Sequence, residues 1–142
     1  MSRRRVLVAI SAAQLAAGVA GQVIAVRDRR PYDVALLGQR GRPEDVVRDS
    51  VFTGTGLSAP MTMLITQAVA TVRLATGPSS LATRTLGVLG ATMTCGYLVE
   101  REFRRAMTPT GLDPVVTPVA AGGFVLAAAM AKSGLRPKGC TR

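Results

Sequence analysis

The chain has 142 residues, 18 basic and 8 acidic side chains, no histidine and two cysteines. Without histidine, zinc–histidine and haem–histidine sites and histidine-based triads are excluded, while Cys95 and Cys140 form neither a CxxC nor a paired framework. A net charge of +10 would suggest nucleic acid for a soluble protein, but only 4% of residues are aromatic and no recognition motif is present, so no nucleic-acid partner is expected.

Charge is unevenly placed. Residues 27–50, RDRRPYDVALLGQRGRPEDVVRDS, hold six of the basic and five of the acidic residues. Uncharged runs occupy 6–26, 50–72, 85–99 and 114–131. A hydrocarbon layer about 30 Å thick requires roughly 20 mostly apolar helical residues. The run VLVAISAAQLAAGVAGQVIAV meets that requirement unaided, bounded by SRRR before it and RDRRP after it. Its only polar residues are Ser11, Gln14 and Gln22, too few for the wet face of a soluble surface helix. Basic residues beside such runs act as topology signals and contacts for anionic headgroups. A competing reading takes SRRRVL as resembling a twin-arginine export signature, with Val23-Ile24-Ala25 as a cleavage region. Twenty-one apolar residues are long for a signal core, and more apolar sequence follows.

Within the charged stretch, Pro31 and Gly38 bracket PYDVALLG, which reads as a short helix. Pro43 opens a second, PEDVVRDSVF, stopped by Gly54. There Glu44 and Asp45 lie four and three residues before Arg48, each in reach of it on a helix face. The second long helix is expected over 57–75. TGPSS follows, with Gly77 as a stop, Pro78 as a breaker and Ser79 or Ser80 as a cap. So short a turn makes an antiparallel hairpin and brings Arg73 and Arg84 to one end, where both can snorkel towards phosphate. The third helix is expected over 79–99. The fourth, 114–132, is capped by Asp113 with Pro114 in its first turn.

The expected fold is therefore an all-α integral membrane protein. It is a single domain of four transmembrane helices with an ordered polar loop over 27–56. Nine basic residues fall at each end, but all eight carboxylates fall opposite the termini, giving +9 against +1. The more cationic end, with both termini, is expected in the cytoplasm, making this a multi-pass protein of the plasma (inner) membrane.

Small residues recur every four positions: Ala13, Ala17, Gly21 and Ala25; Thr83, Gly87, Ala91 and Cys95; Gly123, Ala127 and Ala131. Such rows let helices approach closely in lipid, within the bundle or towards a partner. Gln14 and Gln22 share a face of the first helix and Gln67 lies in the second, as interhelical bonds or as a polar path. No acid lies deep in a span, so proton coupling through an embedded carboxylate lacks its residue. Asp33, Glu44, Asp45 and Asp49, with Glu100 and Glu102, share one end with many arginines. They form a self-neutralising surface, or a headgroup or partner site together with Arg48 and, at the other end, Arg73 and Arg84. Met61 and Met63 read as packing residues.

No catalytic, metal or cofactor residue is expected. The leading functional expectation is a non-catalytic accessory or interaction subunit, partnered by anionic lipid and by another membrane protein or a second copy. A transporter or channel component using the glutamines is the alternative, and a lipid-binding or lipid-modifying protein a further one.

Overall fold

The computed structural model describes residues 2–34, 38–52, 54–55 and 57–136. Its elements run α1 (Arg3–Arg27), β1 (Asp33–Val34), β2 (Gln39–Arg40), α2 (Val46–Phe52), α3 (Met61–Thr76), α4 (Ser80–Val99), α5 (Arg101–Ala106) and α6 (Val116–Leu135). The chain is mostly helical. The four long helices form a ring in which α1 packs on α3 and α6, and α4 packs on the same two neighbours. The short elements gather at one end of that ring.

Helix ends follow local chemistry. The Ser2 side chain accepts from Arg5 N, and the Ser79 side chain accepts from Ala82 N at 3.2 Å. Both satisfy orphan first-turn donors. Asp113 Oδ1 accepts from Val115 N and Val116 N at 2.8 Å each, so the expected cap forms although regular helix begins at Val116. Those two bonds favour the ionised carboxyl and hold Asp113 below the usual carboxylate range. At the end of α1, Arg30 N donates to Ala25 O at 2.8 Å, and Arg29 takes the left-handed conformation, φ 49°. This is the closing geometry usually given to glycine.

Two expectations are corrected. The described residues of PYDVALLG are not helical: Asp33 and Val34 pair antiparallel with Arg40 and Gln39, and Gly38 (φ 62°) serves this hairpin. Residues 35–37 lie outside the described residues. Tertiary contacts override the helical pattern here, because Asp33 N donates to Glu100 Oε1 at 2.8 Å and Gly41 N to Tyr32 O at 2.9 Å. Extended backbone is what both bonds require. PEDVVRDSVF does form a helix, reduced to Val46–Phe52 and ended near Gly54, φ 92°.

The second correction is α3, which starts at Met61 instead of 57. Pro60 disfavours helix in the residue before it. The segment ahead closes a tight turn, Thr55 bridging Ser58, and Ser58 Oγ donates to Gly18 O at 2.8 Å. At 16 residues, α3 spans about 24 Å. Among the described residues, α1 and α6 are the helices long and apolar enough to cross a membrane by length and composition.

Closest approach lies between α4 and α6. A Cβ on Gly87 would sit 2.8 Å from Gly134 C, and one on Gly90 2.5 Å from Ala131 N and 2.7 Å from Ala127 O. Gly21 is equally tight, 2.6 Å from Leu57 O. Ala127 is fully buried, and a Cβ on Gly123 would run into the Tyr97 hydroxyl. The four-residue rows divide between inward and outward positions. Ala13 and Cys95 face outward, and Ala17 and Ala91 are half-buried. Four residues advance 400° on a helix of 3.6 residues per turn, so such a row drifts off the contact face. Tyr97, Phe103 and Phe124 close the loop-bearing end, with ring centroids 5.2–6.3 Å apart.

Gly90→Val should lower the unfolding free energy of the chain by about 1–3 kcal/mol, because backbone cannot yield as a side chain does. Gly122→Ala, whose Cβ meets nothing within 4 Å, should be neutral or stabilising. Thermal unfolding of both variants checks this.

Candidate functional site

The inward face of α1 carries Leu7, Ser11, Gln14, Gly18, Gly21, Gln22 and Ala25. It is the polar face of that helix, while Val19 and Val23 point outward. Helix α3 repeats the inversion: Gln67 and Thr71 are buried, and Ile65, Val69 and Val72 are exposed. Where these two faces meet, Gln67 Nε2 donates to Ser11 O at 2.9 Å and to Ser11 Oγ at 3.2 Å. Thr71 Oγ1 donates to Gln67 O at 2.7 Å. A hydroxyl has one proton, so Ser11 supplies the hydrogen for its 2.7 Å contact with Thr71 Oγ1. Amide, serine and threonine thus close a ring of bonds returning to the Gln67 backbone. The sequence pointed to Gln67 but gave Ser11 no role and Thr71 none, since neither residue type signals a partner across helices.

The three glutamines do not converge. Gln14 follows Ser11 by less than a turn. Gln22 stands about 12 Å further along α1, where its Nε2 donates to Ser50 O at 3.2 Å. The Oε1 atoms of all three are buried without a hydrogen-bond partner among the described residues. None of the three lines either of the two clefts described next.

The larger cleft, about 760 Å³, opens at the end of the ring that carries the described chain termini. Arg3, Arg4, Arg84 and Arg136 border it, over a floor that includes Leu7, Leu74 and Leu135. Arg3 Nη2 donates to Ser133 O and Arg136 O at 3.1 Å each, and Arg4 Nη1 to Leu74 O at 3.4 Å. The first two arginines therefore complete the carbonyl-bearing ends of α6 and α3, a favourable place for a cation. Arg84 and Arg136 make no side-chain hydrogen bond or ion pair among the described residues. Arg73 is exposed at the same end but does not line the cleft.

At the opposite end a cleft of about 270 Å³ lies beneath the hairpin, between Tyr32, Thr55, Met63, Met93, Tyr97 and Glu100. Met63 is half-buried against the core, and Met61 is exposed. Of the carboxylates here, Asp33 and Glu100 are buried. Arg101 pairs with Asp33 at 3.8 Å, and Arg105 with Glu102 at 3.1 Å. Arg48 pairs with Asp45 at 3.5 Å and Asp49 at 3.6 Å, while Glu44 is exposed and joins neither contact. Arg48 is largely exposed, so these pairs contribute little, about 0–1 kcal/mol. No three His, Cys, Asp or Glu side chains among the described residues gather closely enough to hold a metal. Asp33, Asp45, Asp49 and Glu102 sit in ion pairs with Arg101, Arg48 and Arg105.

Burial pushes the Glu100 carboxyl above its ordinary range, partly offset by backbone N–H donors from Asp33 and Glu102. Comparison with known protein families, with curated proteins and with solved structures finds no match to this chain.

Ionisation of Glu100 works against the fold. The penalty is absent below the ordinary glutamate value and complete above the raised one. Glu100→Gln keeps the acceptor for Asp33 N and removes the charge. Its stability relative to the parent should therefore rise as pH increases from about 4 towards neutrality. Parallel pH–stability curves for the two proteins would contradict this assignment.

Proposed function

We propose that this chain is a small integral membrane protein whose four long helices lie across the plasma membrane, and that it acts as a non-catalytic interaction subunit. One observation carries the reading: α1 and α3 bury polar side chains between them while large aliphatic side chains stand exposed on the outer faces of the long helices. Gln67 and Ser11 are 0% exposed and Gln14 1%, whereas Val69 is 65%, Val125 61% and Leu81 76% exposed. Water would reverse that order, because aliphatic burial drives folding there. A lipid exterior removes the conflict, and interhelical polar bonds with close small-residue packing then hold the helices.

The two apolar helices support the same reading by how little of them is covered. Only 33% of the apolar window of α1 and 28% of that of α6 are buried, whereas the core helix of a soluble protein is enclosed. The shorter α3 reaches across with local thinning of the bilayer or snorkelling of Arg73. Arg84, in the first turns of α4, is exposed at the same end and sits at headgroup depth.

An interaction role follows from what the interior lacks. Gln67 and Gln22 act as glue between elements, and four of the carboxylates are taken up by arginines. What remains on offer are outward-facing apolar and small side chains, such as Ala13 on α1 and Cys95 on α4, suited to a second copy or to another membrane protein. The +9 end supports a cytoplasmic position for both termini in this reading.

Cysteine accessibility tests the topology. In a chain with Cys95→Ser and Cys140→Ser, cysteines introduced at Val69, Val88 and Val125 should resist a water-soluble maleimide in intact membranes and react after denaturation. Glu44→Cys should react from outside whole cells, and Ser80→Cys only after lysis. Free labelling at all three valine positions would end the membrane reading. Purification in mild detergent tests the subunit role: the particle should exceed the mass of one chain, and a bare monomer would contradict it.

A further inference from the structure

We propose that the large cleft at the terminal end of the bundle binds the phosphate group of an anionic phospholipid. The assignment deepens the membrane reading and rests on it only for the source of the ligand.

Charge is the first ground. Arg3, Arg4, Arg84 and Arg136 line one cleft, and no carboxylate lines it among the described residues. All eight acids of the chain belong to the other end. Clustered guanidinium groups repel one another until an anion joins them, and the planar guanidinium matches phosphate oxygens two at a time.

Donor accounting is the second ground. A guanidinium has five N–H donors. Arg3 directs Nη2 and Arg4 Nη1 to helix-end carbonyls, which fixes both side chains at the rim while their other donors stay open. The Arg84 and Arg136 side chains have no hydrogen-bond or ion-pair partner among the described residues. Two held and two unengaged arginines around one space make a site that is partly preorganised.

The floor separates a lipid from a small phosphate. Leu7 and Leu74 are buried beneath the rim, and Leu135, which also lines the cleft, is 49% exposed. The cleft is open, and exposed Leu135 on α6 and Leu81 on α4, the neighbour of the lining residue Ser80, continue its apolar surface outward. A diacyl phosphate can set its headgroup among the arginines and lay its chains along that surface, which inorganic phosphate cannot use.

The test uses the full chain in a mild non-ionic detergent, with retained lipid read by native mass spectrometry. Phosphatidylglycerol should be retained in preference to phosphatidylcholine. Arg84→Gln and Arg136→Gln, whose side chains make no capping bond among the described residues, should each weaken retention about fivefold. Arg104→Gln and Arg105→Gln, at the opposite end, should leave it unchanged, and size-exclusion profiles establish that each variant is folded. Parallel titrations with inorganic phosphate and glycerol 3-phosphate separate the sources: competition only at far higher concentration supports a lipid ligand, and equal affinity overturns it in favour of free phosphate. Equal displacement by dodecanoate overturns the phosphate assignment. Retention indifferent to Arg84 and Arg136 overturns the cleft itself. If the chain stays dispersed without detergent, Arg84-dependent binding of short-chain phosphatidylglycerol still supports the cleft, although the membrane reading has failed.

Discussion

Gln67, Ser11 and Thr71 form the contact on which the arrangement of α1 against α3 depends. Their bonds, 2.7–3.2 Å long, lie in the middle of both helices and are sealed from solvent. Apolar packing alone tolerates rotation and sliding of one helix past another. An amide that must find a serine backbone and hydroxyl together accepts one register, since leaving a buried donor unmade costs about 1–3 kcal/mol. The seam therefore specifies alignment more than it adds stability. Its residues are spaced to allow this: Gln67 and Thr71 are one turn apart on α3, and both face α1.

The other half of the ring is held differently. Between α4 and α6 the contact is backbone against backbone, at Gly87 on Gly134 and Gly90 on Ala127 and Ala131. Close approach multiplies dispersion contacts, each small and collectively large, and needs no polar group. The two interfaces impose complementary limits. The amide seam fixes α1 and α3 along their axes, and the glycine contact fixes how near α4 and α6 may come. Since α6 also packs on α1 and α3 on α4, both limits are transmitted round the ring.

Much of this was legible in the sequence where the signal is local. Ser79 and Asp113 cap the helices they precede, the 77–79 turn makes a hairpin, and Gly54 closes α2 in a left-handed conformation, each dictated within a few residues. Inward placement of Gln14, Gln22 and Gln67 also followed from the scarcity of polar groups in long apolar runs. What was not legible depended on distant partners. The hairpin at Asp33 is drawn out by the Glu100 carboxylate, 67 residues away. The late start of α3 reflects a turn docked through Ser58 onto Gly18. The packing rows were read at four-residue spacing, whereas the contacts on α1 alternate three and four, from Gln14 to Gly18 to Gly21 to Ala25. The candidate cleft joins residues 3, 4, 84 and 136, and nothing in their sequence neighbourhoods links them.

The distribution of arginine ties topology to local structure. At the end opposite the termini, arginines meet carboxylates, as in Arg101 with Asp33 and Arg105 with Glu102, so that end is nearly neutral. At the terminal end no acid is available, and Arg3 and Arg4 turn to main-chain carbonyls at the ends of α6 and α3. A helix C-terminus carries about half a negative charge, enough to hold a guanidinium but too little to neutralise it. Excess positive charge therefore persists there. The features that would orient the chain in a membrane and those that would draw an anion to it have one origin, the absence of carboxylates from one end.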